Sequence, residues 1–309
     1  MNERKPVDRL DSGESIFFKR QLEYIKAKTY DEVLADLKYA QLIPITSEVP
    51  QGATEMTWRS YKSYGFAKFI SDYATDFPRV ELGGTENTVK IKDIGVSYAY
   101  TIKDIRRAAY ANIDLSSRKA LAARRAIEEK LNQVAWFGDT TAGIQPFIKY
   151  PGTTQYTVPA TGTGSTTTWS TKTPDQILVD LNGIMNAVVI PTFGKETVDT
   201  ILLPITQMSL IKNTRMGTYN DTTIYEFFTR NNPGINLEVV REVAGAGTGG
   251  KDVFIAYKKD PDVIAFELPV AFEQLEMDKE GMEYVTPCMA SVAGTICYRP
   301  AAVAWGEGL

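Results

Sequence analysis

The 309-residue chain contains no histidine. That excludes a Ser-His-Asp or Cys-His nucleophile and any imidazole metal site, leaving acid-base work to carboxylates, lysines and tyrosines. There are only two cysteines, Cys288 and Cys297, in an apolar stretch that reads as strand. Their spacing fits neither a C-x-x-C redox pair nor a zinc knuckle, so two reduced, buried thiols are predicted. No apolar run reaches the roughly 18 residues that cross a bilayer, and the opening MNERKPVDRLDSGES is polar, unlike a secretory signal. A soluble chain made in a cytoplasm, with no membrane partner, is expected. Basic excess is missing too: 34 Lys and Arg stand against 38 Asp and Glu, a net charge of −4. Without a basic stripe to neutralise phosphates, a dedicated nucleic-acid binder is disfavoured.

What is present is organised around one long helical pattern, DLSSRKALAARRAIEEKLNQVAWFG from Asp114 to Gly138, led in by TIKDIRRAAYANI. Asp114 is suited to N-cap it, and Leu121, Ala122, Ile127, Leu131, Val134 and Ala135 read as its apolar stripe. At about 1.5 Å per residue, roughly 24 residues span about 36 Å, the width of a small domain. The polar face carries Arg118, Lys119, Arg124, Arg125, Glu128, Glu129 and Lys130, with Arg124 one turn from Glu128 and Arg125 one turn from Glu129. Gly138 sits where a C-terminal cap belongs, and DTTAGIQPF reads as a turn.

Upstream, residues 1–14 carry almost no apolar material, and Ser15 to Ile45 holds two helical pieces, Phe17, Leu22 and Ile25 in one and Val33, Leu34 and Leu37 in the other. From Thr54 to Tyr100 the period changes to alternation, as in Val89 and Ile91 against Lys90 and Lys92, which predicts a long two-stranded excursion with a wide, polar tip. An isolated ribbon of this kind is marginal in water, so it needs a partner surface.

Downstream, the threonine-rich tract Thr153 to Thr173 suits exposed loop or edge strand rather than core. Thr173, Pro174 and Gln176 then start a helix through Ile177, Leu181, Ile184 and Val188. Strand TVDTILLPI, a helical turn over Met208 to Ile211, helix TTIYEFFTRN, strands INLEVVREV and DVFIAYKK, and terminal strands with a turn at Glu280-Gly281 complete an α+β order with an inserted lobe.

Candidate chemistry is thin. GAGTGGKD, Gly245 to Asp252, satisfies G-x-x-x-x-G-K, but Asp252 stands where a phosphate-binding loop needs Ser or Thr, and a strand follows where a helix is required. A flexible hairpin loop is predicted. Glu128 and Glu129 point about 100° apart on a helix and cannot converge on a cation. The acidic run Glu273, Glu276, Asp278, Glu280 and Glu283 lacks calcium-loop spacing. Lys68, Lys90 and Lys92 read as charges protecting an edge. No catalytic residue, cofactor or metal ligand is assigned, and no enzymatic activity is expected.

In this order, DFPRVEL, GVSYAYTIKDIRRAA, LAARRAIEEKLNQVAWFGD, GIQPF and the terminal YRPAAVAW resemble the major capsid protein of tailed bacteriophages, over essentially the whole chain. The resemblance implies an α+β, Hong Kong 97-like capsid fold: an N-terminal arm over residues 1–53, an extended E-loop hairpin over 54–100, a peripheral domain with the long spine helix over 101–173, an inserted axial domain over 174–261, and peripheral C-terminal strands over 262–309. It implies self-assembly into pentamers and hexamers of an icosahedral virion shell around double-stranded DNA held without sequence-specific contact, built in a bacterial host cytoplasm. A portal, a decoration protein and a separate scaffolding protein are the implied partners, the last because no scaffolding domain of roughly a hundred residues precedes the arm. Relatives that crosslink join an E-loop lysine to a neighbour's asparagine; Lys68, Lys90 and Lys92 are the candidate donors, but no residue identifies an acceptor and no crosslink is assigned. Intersubunit contact is expected at the E-loop tip through Asp76, Phe77, Arg79, Glu81 and Glu86, with Arg79 pairing a neighbour's carboxylate; the spine's polar face is assigned to Arg118, Arg124, Arg125, Glu128 and Glu129. An encapsulin-like nanocompartment shell shares this fold and is the alternative, and a nucleotide-dependent enzyme using Gly245 to Lys251 is a distant third.

Overall fold

In the computed structural model, which describes residues 35–70, 77–111, 115–217 and 220–309, the chain passes through one helical turn α1 (Tyr39–Leu42) and a short strand β1 (Ile45–Thr46). Two ribbon strands, β2 (Glu55–Tyr64) and β3 (Glu81–Lys90), lead to β4 (Lys92–Thr101), α2 (Ile102–Ala111) and α3 (Leu115–Phe137). The middle comprises β5 (Thr154–Thr157), α4 (Pro174–Val189), β6 (Thr200–Leu203), α5 (Ile205–Asn213), β7 (Arg215–Gly217), β8 (Asn220–Thr223), α6 (Ile224–Asn231), β9 (Asn236–Val239) and β10 (Val253–Tyr257). The chain closes with β11 (Ile264–Glu267), β12 (Val270–Gln274), β13 (Asp278–Glu280), β14 (Glu283–Val292), β15 (Gly294–Cys297) and β16 (Val303–Glu307). The helical pieces read over Phe17 to Leu34 and the Asp114 cap lie outside the described residues; Leu37, expected in the second piece, precedes α1 and packs on the first core.

The buried stripe of α3 is Ala123, Ile127, Leu131, Val134 and Ala135, with Trp136 beside it. Leu121 and Ala122, read from sequence as part of that stripe, are exposed. Phase explains the correction: Ala123 lies one turn before Ile127, whereas six residues at about 100° each carry Leu121 some 240° around the helix. Each fully buried Ile or Leu contributes roughly 1.5–3 kcal/mol, so the C-terminal half of α3 is where the helix is held. It stops at Gly138, whose φ of +63° is the left-handed cap conformation and whose N–H bonds Val134 O at 2.9 Å. A Cβ there would collide with the Ile144 carbonyl. The turn that follows is held by the Asp139 carboxylate, which accepts from the backbone N–H groups of Thr141 and Ala142 at 3.0 and 3.1 Å.

A five-stranded sheet, β5-β16-β10-β6-β9, separates two cores. Alternation along its strands sends Leu202, Val253, Ile255, Tyr257 and Val303 to the core containing α3. Ile201, Leu203, Phe254, Ala256 and Ala304 face the core of α4, α5 and α6. Being covered on both sides, these strands read as continuous apolar runs. The last strand, β16, lies inside this sheet, between β5 and β10.

Helix α4 begins with the predicted capping box: Thr173 accepts from Gln176 N while the Gln176 side chain accepts from Thr173 N, with Pro174 in the first turn. The threonine tract supplies edge strand β5 as expected. It also supplies core, contrary to expectation, because Trp169 and Val158 are fully buried in the second cluster. Trp169 is sequestered because its indole N–H reaches the Asp180 carboxylate on α4 at 2.8 Å. The loop between β9 and β10 is also not a hairpin: β9 pairs with β6 in parallel, and β6 lies between it and β10.

The remaining strands form a three-stranded sheet β1-β11-β15 and a second sheet in which β14 pairs β4 along one edge and β12 and β13 along the other. Cys288 on β14 and Cys297 on β15 are buried free thiols, and burial pushes the Cys297 thiol up to about 12.

Candidate functional site

The feature that the chain's own cores do not absorb is the β2-β3 ribbon. Its strands pair antiparallel from Glu55↔Lys90 to Tyr64↔Glu81 and, among the described residues, with no other strand. β4 leaves it at Lys92 to join the sheet of β14. Near the root, Met56, Trp58 and Ser60 are half-buried on alternate positions, and the Trp58 ring stands edge-on to Tyr298. Beyond Ser60 both faces are exposed. Cross-strand pairs stiffen the ribbon: Thr57 with Thr88 at 2.8 Å, Ser60 with Thr85 at 2.6 Å, and the Arg59 guanidinium donating to Glu86 Oε1 at 2.7 Å.

Among its described residues the outer end is largely apolar around Lys68 and Arg79, not polar as read from sequence. Phe66, Phe69, Ile70, Phe77, Val80 and Leu82 are all exposed there, and residues around them line an open pocket of about 380 Å³. The misreading came from scoring the segment by its Asp, Glu and Gly residues; the signal that could have corrected it is the apolar density of GFAKFI and FPRV, too high for a solvated turn. Of the predicted contact residues, Phe77 and Arg79 are exposed at this end. Glu81 instead opens β3 opposite Tyr64, and Glu86 lies mid-strand opposite Arg59. Asp76 lies outside the described residues.

Between ribbon and body runs a cleft of about 1220 Å³, walled by Trp58 and Lys62 on one side and Thr140, Tyr150, Glu196 and Arg299 on the other. On α3, the predicted polar face is partly solvent-side: Arg124 and Arg125 donate to Glu128 and Glu129 at 2.9 and 2.8 Å and Arg118 is exposed, whereas Lys119 turns to the body and donates to Ala99 O. Such exposed pairs contribute about 0.3–0.5 kcal/mol each.

The glycine loop fails as a phosphate site for a reason visible in its bonds. Gly245 N–H donates to Asp252 Oδ1 at 2.9 Å and Thr248 N–H to Glu307 Oε2 at 3.0 Å. The donors an anion would use already hold the chain's own carboxylates. Lys149 Nζ adds a 2.6 Å ion pair to Glu307, and together these bonds hold the Glu307 carboxyl below its usual range.

Sequence reasoning also missed the one buried ion pair among the described residues. Lys172 Nζ lies 2.6 Å from Asp180 Oδ2 with side chains 0% and 1% exposed. Its location beside Trp169, at the second core, is structural.

The sequence profile of the major capsid protein family matches residues 65–309, well over half of the chain. The chain belongs to the major capsid protein family. Solved structures agree on the fold. The capsid of Myoviridae phage XM1 superposes with a TM-score of 0.81 at 16% identity, covering 96% of this capsid protein and 100% of that chain. The capsid of the native GTA particle gives 0.68 at 10% identity, covering 97% and 99%. The virus-like particle from Pyrococcus furiosus gives 0.52 at 12%, covering 86% and 91%. No curated protein sequence matches. The α+β fold is therefore that of Hong Kong 97-like phage capsids, and family membership makes the chain a structural shell protein of a capsid. No helix among the described residues is long and apolar enough to cross a membrane.

Proposed function

We propose that this chain builds its shell as pentamers and hexamers of copies of itself, closing an icosahedral head around double-stranded DNA, and that it does no catalysis of its own. Assembly takes place in the bacterial host cytoplasm with a separate scaffolding protein and a portal, and a decoration protein can dock on the finished lattice. The observation that carries the reading is the ribbon. A two-stranded excursion with an outer end made of Phe66, Phe69, Ile70, Phe77 and Val80 is unstable as a solvated object and sensible as one laid on a neighbouring copy. Arg79 at that end pairs with a carboxylate of the neighbour. The net charge of −4 suits a wall that holds DNA without adhering to it.

The ribbon register gives the experiment. Replacing Gly65–Val80 by a two-residue Asn-Gly turn keeps every β2-β3 pair and removes only the apolar end. The expected result is a folded chain that sediments as free subunits while the unaltered chain gives closed shells by negative-stain microscopy; normal shells from the shortened chain would overturn the role of the ribbon. The encapsulin-like alternative has less support, because the matching family model is that of major capsid proteins and the phage XM1 capsid superposes at 0.81. Nuclease-protected DNA inside particles from infected cells, as against packaged protein, separates the two.

A further inference from the structure

We infer that the turn joining β13 to β14 in one copy docks on helix α2 of a second copy, a contact distinct from the ribbon's. The inference rests on the shell reading above. In the β13-β14 register Glu280 stands directly opposite Glu283, and like charges in that relation destabilise a strand pair. Glu276 and Asp278 extend the acidic edge, all four side chains are exposed, and none of them makes an ion pair among the described residues. Beside and between them Leu275, Met277 and Met282 are also exposed. A sheet end that combines repelling carboxylates with bare methionines conflicts with its own stability, and such conflicts are retained where a partner relieves them.

The partner chemistry that relieves it is cationic and apolar, and it lies next door on the same chain. Helix α2 starts against this turn, Ile102 N–H donating to Met282 O at 3.1 Å. It carries Lys103, Arg106 and Arg107 against one acid, Asp104, which only Arg107 approaches, at 3.9 Å. Ile105 is exposed on it, and Tyr110 is 96% exposed. The two patches are opposite in charge and each carries exposed apolar side chains, yet no ion pair joins them among the described residues. Complementary patches at different places on one chain make a head-to-tail contact between copies, which closes into a ring where the rotation relating them closes. Charge steers the encounter, and the apolar side chains then leave water.

Paired charge reversal of the full chain tests this. Glu276→Lys with Glu280→Lys, and separately Lys103→Glu with Arg106→Glu, are each expected to cut shell yield roughly tenfold or more without lowering the melting temperature of the subunit, and the combined variant to regain most of the yield. Either reversal assembling like the unaltered chain overturns the contact. So does a combined variant that folds but does not recover, which would mean that each patch meets a different partner. An unaltered chain that forms no shells, even with a scaffolding protein supplied, overturns the shell reading and this inference with it.

Discussion

The indole of Trp58, on the ribbon, stands edge-on to the phenol of Tyr298, on the body, at 5.7 Å and 88° between ring planes. Tyr298 is itself held, its hydroxyl donating to the buried Glu267 carboxylate at 2.6 Å. Burial, then that carboxylate, keep the phenol protonated far above its ordinary range. The ribbon's angle is therefore referred through Trp58 and Tyr298 to β11, in the middle of the three-stranded sheet. Edge-on aromatic pairs add about 0.5–1.5 kcal/mol beyond their area, too little to melt the body when lost. Trp58→Ala should leave the melting temperature within a few degrees, raise the rate of proteolytic cutting in the ribbon severalfold, and lower shell yield. Unchanged cutting would mean that the root pairs alone hold the ribbon.

Lys172 and Asp180 give the opposite balance. Burial raises the Asp180 carboxyl, opposed by the hydrogen bond and charge of Lys172 and by the Trp169 N–H. Removing only the lysine leaves a buried charge uncompensated, at about 3–5 kcal/mol. Lys172→Met should therefore be severely destabilised, and Lys172→Met with Asp180→Leu should recover most of the loss. The pH sign follows. With its folded pKa raised above the unfolded value and the lysine gone, Asp180 favours the folded state while protonated, so the single variant is closest to normal stability below about pH 4 and loses stability as pH rises through the folded pKa. Thermal melts of both variants from pH 3 to 7 check this; a flat difference would mean that Asp180 is not the titrating group.

Glu307 titrates with the other sign. The Lys149 ammonium and the Thr248 N–H depress its carboxyl, so its contribution is complete above the ordinary glutamate value and is lost as pH falls through the lower folded value. Glu307→Gln should lose stability at pH 7 and flatten the acid limb of the stability curve below about pH 4.5. Because the same carboxylate ties residues 247–251 to the final strand, hydrogen exchange at Thr248 should rise in step. A variant with an unchanged acid limb would remove Glu307 from the account.

How far the sequence alone reached divides along physical lines. Capping chemistry is local, so Thr173 with Gln176 and Gly138 were legible without any tertiary knowledge. The element order and the family resemblance were legible for the same reason. The unreadable parts depend on distant partners. Whether residues 240–252 form a hairpin turns on β6 inserting between β9 and β10, which no local pattern states. The burial of Trp169 depends on an aspartate eleven residues away on a helix face. For the ribbon, composition was read correctly as needing a partner but wrongly as polar at its end, because charged residues of β3 such as Glu86 were assigned to the turn.

A different kind of exposure marks Phe193, in the turn after α4. It is 91% exposed and holds φ at +54°, a left-handed conformation that costs a non-glycine residue about 1–2 kcal/mol. The turn around it is over-determined: Thr192 Oγ1 donates to Val188 O at 2.8 Å, and Gly194 N–H donates to Val189 O at 2.9 Å. A rigid turn that presents a bare aromatic ring against the backbone's preference has the form of an interface anchor. Phe193→Gly relieves the strain but adds about 0.5–1 kcal/mol of unfolded-state freedom, so the subunit's stability should move by less than about 1 kcal/mol. Shell yield should nonetheless fall, since the ring is gone. Phe193→Leu, keeping an apolar side chain, should fall less. Yields equal across all three chains would mean that the strain serves the turn itself and not a neighbour.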